Sequence, residues 1–174
     1  KDGDFEKPAQ AANTSQLSVT SAAPATDASV EPKLLATIQD NTYFRNGEKD
    51  AWLEFLKIVK ERDLGRTESA AVDYVQLVDQ PSVYRGKFVT VRGTARQITQ
   101  EKPAANNLSI QSYYRVVVQP ADGTNWPFIV YCLELPPHVA AGDNLSINVD
   151  VTGLFFKKLS YKWQNGLGIA PVIV

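Results

Sequence analysis

Near Tyr84 the hydrophobic rhythm of this chain changes from a period close to 3.6 residues to a period of two, and few folds accommodate that switch within 174 residues. Before it, EKDAWLEFLKIVKERD (48–63) sets Trp52, Phe55, Leu56 and Val59 at i, i+3, i+4 and i+7 with Lys and Glu opposite, the stripe of an amphipathic helix. Asn46-Gly47 is its expected turn of entry and Gly65 its expected stop. A second helix is expected over TESAAVDYVQLVDQP, with Thr67 as its cap, Val72, Val75 and Val78 sharing a side, and Pro81 as its end. A short helix is also expected over Pro32 to Asp40.

After the switch, Val89, Val91, Gly93 and Ala95 alternate with Thr90, Arg92, Thr94 and Arg96, which is the pattern of a half-buried strand. Gly93 stands mid-strand, where a missing side chain lets one long strand coil sharply enough to serve both halves of a small closed barrel. YYRVVVQ and WPFIVYCLEL follow, joined through Asp122-Gly123, a strong hairpin signal. A connector after Pro136-Pro137 leads to Ile147, Val149, Val151, Gly153 and Phe155, again alternating, and Asn165-Gly166 reverses the chain into IAPVIV. The expectation is mainly β: a five-stranded barrel over 84–174 whose pattern resembles an OB-type Greek-key barrel, with a helical N-terminal extension over 33–83 packed on it. Residues 1–32 are rich in Ala, Ser, Thr and Pro and too poor in large apolar side chains to repay their ordering entropy, so they are expected to be a flexible leader or linker.

Composition narrows the function classes. The formal net charge of −1 gives no global pull toward nucleic acid or anionic membrane. Residues 86–174 are mildly basic, with eight Lys and Arg against five acids, while 1–32 carry two Lys against five. The single Cys132, inside PFIVYCLEL, excludes an internal disulfide and cysteine-based zinc binding, and its apolar setting suits a core thiol rather than a nucleophile. No run of about 18 apolar residues is present, so no span across a bilayer is expected from this segment. The chain begins at Lys1 and contains no Met; removal of an export signal or trimming of a longer protein both account for that, and the expected location is exported, periplasmic or cell-envelope, with the cytoplasm as alternative.

The strand pattern resembles the OB-fold: YRGKFVTVRGTARQI looks like its first strand and NVDVTGLFFKKL like its fourth, over about Tyr84 to Val174. Residues 40–174 are also similar to a group of exported planctomycete proteins through DNTYFRNGEKDAW, YVQLVDQPSVYRGKFVTVRG and WPFIVYCLELP; that group brings no activity to carry over. The OB resemblance implies a ligand face over the second and third strands, flanked by loops at about Gln100–Gln111 and Ser160–Gly168. On that basis Arg92, Arg96, Tyr113, Arg115, Tyr161, Lys162 and Trp163 are the candidate ligand-binding residues, by base stacking beside cations if the ligand is a single strand.

Catalytic chemistry has little to stand on. His138 is the one histidine and follows two prolines in a connector, without a G-x-S-x-G motif. Asp122, Asp143 and Asp150 read as turn and edge residues rather than a paired acid and base, and no glycine-rich phosphate loop occurs. The sequence therefore points to a non-catalytic binding or interaction module with no cofactor. Its expected partner is a protein, a glycan or the remainder of a longer chain, and the alternative is a single-stranded nucleic acid.

Overall fold

A computed structural model describes residues 26–163 and 166–174 of the chain. The protein is mainly β: a six-stranded mixed sheet in which five strands bond in a ring, with a few short helices around it.

The strands are β1 (Ala70–Ala71), β2 (Phe88–Glu101), β3 (Tyr113–Pro120), β4 (Phe128–Cys132), β5 (Ile147–Trp163) and β6 (Gly166–Ile173). The ring runs β2–β3–β4–β6–β5 and returns to β2. Every pairing in it is antiparallel except β4 with β6, which is parallel at Ile129↔Val172 and Val130↔Ile173. β2 closes the ring by serving two neighbours: Phe88–Ala95 pair with β5 and Gly93–Glu101 with β3. The shared stretch contains Gly93, whose added Cβ would stand 2.1 Å from the carbonyl oxygen of Gln119. Gly153 repeats the device on β5, where a Cβ would meet the carbonyl oxygen of Val174 at 2.3 Å. The mid-strand glycines thus answer a close approach of backbones at the barrel's turns. Register shifts at Ala95/Gln97 and Phe155/Lys157 add bulges that bend the same two long strands.

Side-chain alternation divides the apolar residues into two cores. Inside the ring lie Val89, Val91, Ala95, Val116, Val118, Phe128, Val130, Phe155 and Ile173, and Tyr74 and Leu77 pack against them from α3 (Tyr74–Asp79). Outside it lie Phe88, Ile129, Tyr131, Leu154, Phe156, Ala170 and Val172. Residues of opposite parity on one strand cannot share a face, so this second set needs a cover.

The cover is the longest helix. With α1 at Pro32–Leu35, α2 spans Lys49–Glu61 and buries Ala51, Phe55, Leu56 and Val59 on the outer core, the face expected from its spacing. It ends before Gly65, at an Arg62 in extended conformation. Burying a large apolar side chain contributes roughly 1.5–3 kcal/mol, so this helix is held by packing more than by propensity.

The second expected helix is corrected. α3 starts at Tyr74, not after Thr67, because Ala70 and Ala71 are drawn into a parallel pairing with Val89 and Thr90. Asp73 caps it: its carboxylate accepts from the Gln76 amide at 2.8 Å, and Gln76 Oε1 accepts from the Asp73 amide at 2.9 Å. The buried side is Tyr74 and Leu77, while Val75 is exposed. α4 (Pro81–Tyr84) follows, starting at the proline expected to end the helix.

Residues 1–25 lie outside the described residues. The remainder of the expected leader is laid along the ring: the Phe88 amide donates to the Thr26 carbonyl at 2.9 Å, and Ala28 and Val30 are buried in the outer core. The loop expected over Ser160–Gly168 is corrected as well, because β5 and β6 stay paired from Ser160↔Ile169 to Trp163↔Gly166; Asn165 of the expected Asn165-Gly166 reversal lies outside the described residues. Among the described residues no helix is long and apolar enough to cross a membrane.

Candidate functional site

The most built feature of the surface is a cleft of about 390 Å³ between the start of α2, the outer face of β3 and β4, and the loop after β2. Its position follows from register. Arg115 sits opposite Tyr131 and Tyr113 opposite Glu101, so Tyr113, Arg115 and Tyr131 share the outer face. α2 lies over this face, and Trp52, one turn before Phe55 and Leu56, projects along it.

The walls are aromatic and mutually perpendicular. Trp52 and Tyr131 stand at 83° with centroids 5.0 Å apart, Tyr113 and Tyr131 at 86° and 5.3 Å, and Trp52 and Tyr113 at 82° and 6.5 Å. Phe44 adds a rim: it stacks on Phe156 at 6.0 Å and meets Trp52 edge-on at 5.0 Å. Edge-to-face pairs of this kind are worth about 0.5–1.5 kcal/mol beyond area burial, so the walls hold one another in place. Burial pushes the Tyr113 and Tyr131 phenols above the ordinary tyrosine range, and the Glu101 carboxylate beside them pushes the same way. Neither ring therefore carries charge near neutral pH.

The charges around the cleft fall into two kinds. Glu101 is bound by Arg115, Nε to Oε1 at 2.7 Å. Glu48, at the cleft's inner end, is buried and bound by the equally buried Lys157, with Nζ at 2.8 and 3.0 Å from its two oxygens. The same carboxylate accepts from the amides of Gln39 and Arg45, and Lys157 Nζ also donates to Thr42 Oγ1 and the Tyr43 carbonyl. Burial draws the Lys157 ammonium below its ordinary pKa, and the Glu48 carboxylate opposes that shift. Arg45 and Lys49, in contrast, are exposed at the mouth, and neither forms an ion pair among the described residues.

The candidate residues read from the sequence disperse. Tyr113 lines the cleft, and Arg115 stands beside it, tied to Glu101. Arg92 is exposed on β2 and faces Asp150 across β5 at 3.4 Å. Arg96 is exposed at the β2 bulge with Nη1 3.5 Å from Ser146 Oγ. Tyr161 is half-buried against the outer core and Lys162 is exposed, while the side chain of Trp163 lies outside the described residues. Phe44, Trp52 and Tyr131 escaped the sequence reading as site residues, because Trp52 and Tyr131 fit a core pattern and Phe44 stands in no periodic pattern at all. The signal was DNTYFRNGEKDAW, with two aromatics, two free cations and Trp52 within one entry to a helix.

The remaining reactive groups stand apart. Cys132 is half-buried on β4, and burial pushes its thiol up to about 11, which leaves little thiolate at neutral pH. His138 is exposed on the connector. No cluster of three or more His, Cys, Asp or Glu suited to a metal ion occurs among the described residues. No protein-family description, curated protein or solved structure matches this chain.

Proposed function

We propose that the chain is a non-catalytic binding module built on an OB-type Greek-key barrel, and that it takes its ligand in the aromatic cleft between α2 and the outer face of β3 and β4. The barrel assignment is supported by the ring order with its one parallel pair, by a long first strand shared between two neighbours, and by glycines at both points of close backbone approach. The reading as a binding module is carried by one observation: three mutually perpendicular aromatic rings line a half-open cleft of about 390 Å³, in the range of small-molecule sites, roughly 300–1,000 Å³. The protonated thiol of Cys132 and the isolated His138 favour binding over catalysis.

A single-stranded nucleic acid as ligand draws less support. It needs an open strip of aromatic and basic residues along the sheet, whereas α2 lies over that strip and Glu101 neutralises Arg115. Low-salt titration with an oligonucleotide decides between the two, because counterion release makes any such binding strongest there.

The test of the cleft is a nitrogen-15 correlation spectrum of the full chain against mixtures of small sugars, nucleotides and organic acids. Perturbations grouped on Phe44–Leu53, Glu101–Ala105, Tyr113 and Tyr131 are the expected result. Ligands that perturb only other parts of the ring, or no ligand at all, overturn the reading.

A further inference from the structure

We infer that the cleft selects a small anion: a molecule with a flat ring and one phosphate or carboxylate group, the ring against Trp52 and Tyr113 and the acid held by Arg45 and Lys49. This rests on the cleft being the binding place, and it follows from the pairing of charges there. Both carboxylates that line the cleft are already neutralised, Glu101 by Arg115 and Glu48 by Lys157. Both cations at its mouth, Arg45 and Lys49, have no ion-pair partner among the described residues. The unpaired charge of the cleft lining is therefore positive, which disfavours an ammonium ligand and gives a neutral sugar no charge to meet.

The walls select shape. Trp52 and Tyr113 form a corner, at 82° and 6.5 Å, with Tyr131 perpendicular to both as its floor. A planar ring laid on one wall meets the other edge-on, the arrangement aromatic pairs favour. Lys49 and Trp52 are three residues apart on α2, so the cation and the stacking face are presented by one side of one helix. Lys49 also opens that helix, where the backbone dipole adds to its charge.

The experiment is calorimetric titration of the full chain with adenosine 5′-monophosphate, indole-3-acetate, adenosine, inorganic phosphate, glucose and choline. Adenosine monophosphate and indole-3-acetate separate the phosphate from the carboxylate source of the acid. The expected result is that at least one of these two binds, that adenosine and inorganic phosphate each bind more weakly, and that added salt weakens the binding. Lys49→Ala and Arg45→Ala should each weaken it about three- to tenfold, the size of one charge-assisted hydrogen bond at a partly exposed site, while Lys49→Arg keeps it. Both side chains are exposed, so these variants should melt like the parent. Binding of glucose or choline in the cleft without that of the acids overturns the inference and leaves the cleft as a binding site. So does binding of an acid that is insensitive to Lys49 and Arg45. Binding of none of the six overturns the inference alone if the broader spectroscopic screen finds a ligand there, and the cleft reading with it if the screen finds none.

Discussion

The two faces of one ring of strands are built on opposite principles. The interior is mostly aliphatic, with Val89, Val91, Ala95, Val116, Val118 and Val130 drawn from neighbouring strands around Phe128 and Phe155, and no buried charge is among them. The exterior under α2 is aromatic and carries a buried ion pair, Glu48–Lys157, whose members stand 109 positions apart. A closed ring leaves room for side chains of limited size, whereas a helix laid across a sheet leaves an irregular space that large rings fill and that polar groups can line. The ring thus closes on itself, while the added helix leaves beside it the aromatic cleft that we propose as the binding place.

The largest expected effect breaks the exterior. Glu48→Ala strands the Lys157 ammonium in an apolar space and should lower the unfolding free energy by about 3–5 kcal/mol in urea denaturation. The double change Glu48→Leu with Lys157→Met should recover most of that loss. If the single change proves harmless, the pair does not anchor the segment before α2.

The interior is broken by volume instead. Gly93→Ala pushes a methyl group to 2.1 Å from the Gln119 carbonyl oxygen and should cost about 3 kcal/mol, the upper part of the usual range for overpacking. Gly47→Ala, where an added Cβ meets nothing within 4 Å, is the matched control and should leave stability nearly unchanged.

Alkaline pH separates Tyr74 from Lys157 through the sign of their shifts. Tyr74 packs against the interior and donates its phenol to the Ile169 carbonyl at 2.7 Å; burial raises its pKa to about 12, with a smaller push from Tyr161. The folded chain therefore keeps this proton up to about pH 12 while the unfolded chain loses it near 10, so stability falls as pH rises through that window. Lys157 acts in the opposite sense. Its folded pKa lies below the unfolded value, so the unfolded chain binds the extra proton and stability rises with pH up to about 10.5. Tyr74→Phe costs about 1 kcal/mol at neutral pH for the lost hydrogen bond but should remove about 2–3 kcal/mol of the alkaline loss between pH 10 and 12. Urea midpoints of the parent, of Tyr74→Phe and of the Glu48→Leu, Lys157→Met double variant, measured at pH 7, 10 and 11, check both signs.

The smallest effect belongs to the outward surface of the ring. Arg92 and Asp150 form a pair 3.4 Å apart with side chains 72% and 63% exposed, so Arg92→Ala should change stability by no more than about 0.5 kcal/mol. A thermal melt that moves by several degrees would show that Arg92 does something beyond that pair.

The long strands and the main helix were legible in the residue pattern, since alternation and helical spacing are local properties that no partner needs to supply. Val89 and Val91 turn inward, Phe55 and Leu56 meet the sheet, and the glycines of the two long strands fall at close approaches, as their patterns require. Tertiary structure alone decided what depends on register and on competition for hydrogen bonds. Ala70 and Ala71 left a helical pattern because β2 offered an edge, and Ser160–Trp163 and Gly166–Gly168 became paired strand because β5 and β6 stay in register beyond the bulge. The cleft is the extreme case: its floor is Tyr131 opposite Arg115, its wall Trp52 from the helix, and its buried anchor Glu48 with Lys157. Such contacts are set by which faces meet once the chain has closed, and a one-dimensional pattern records the face each residue prefers without naming the face it will meet.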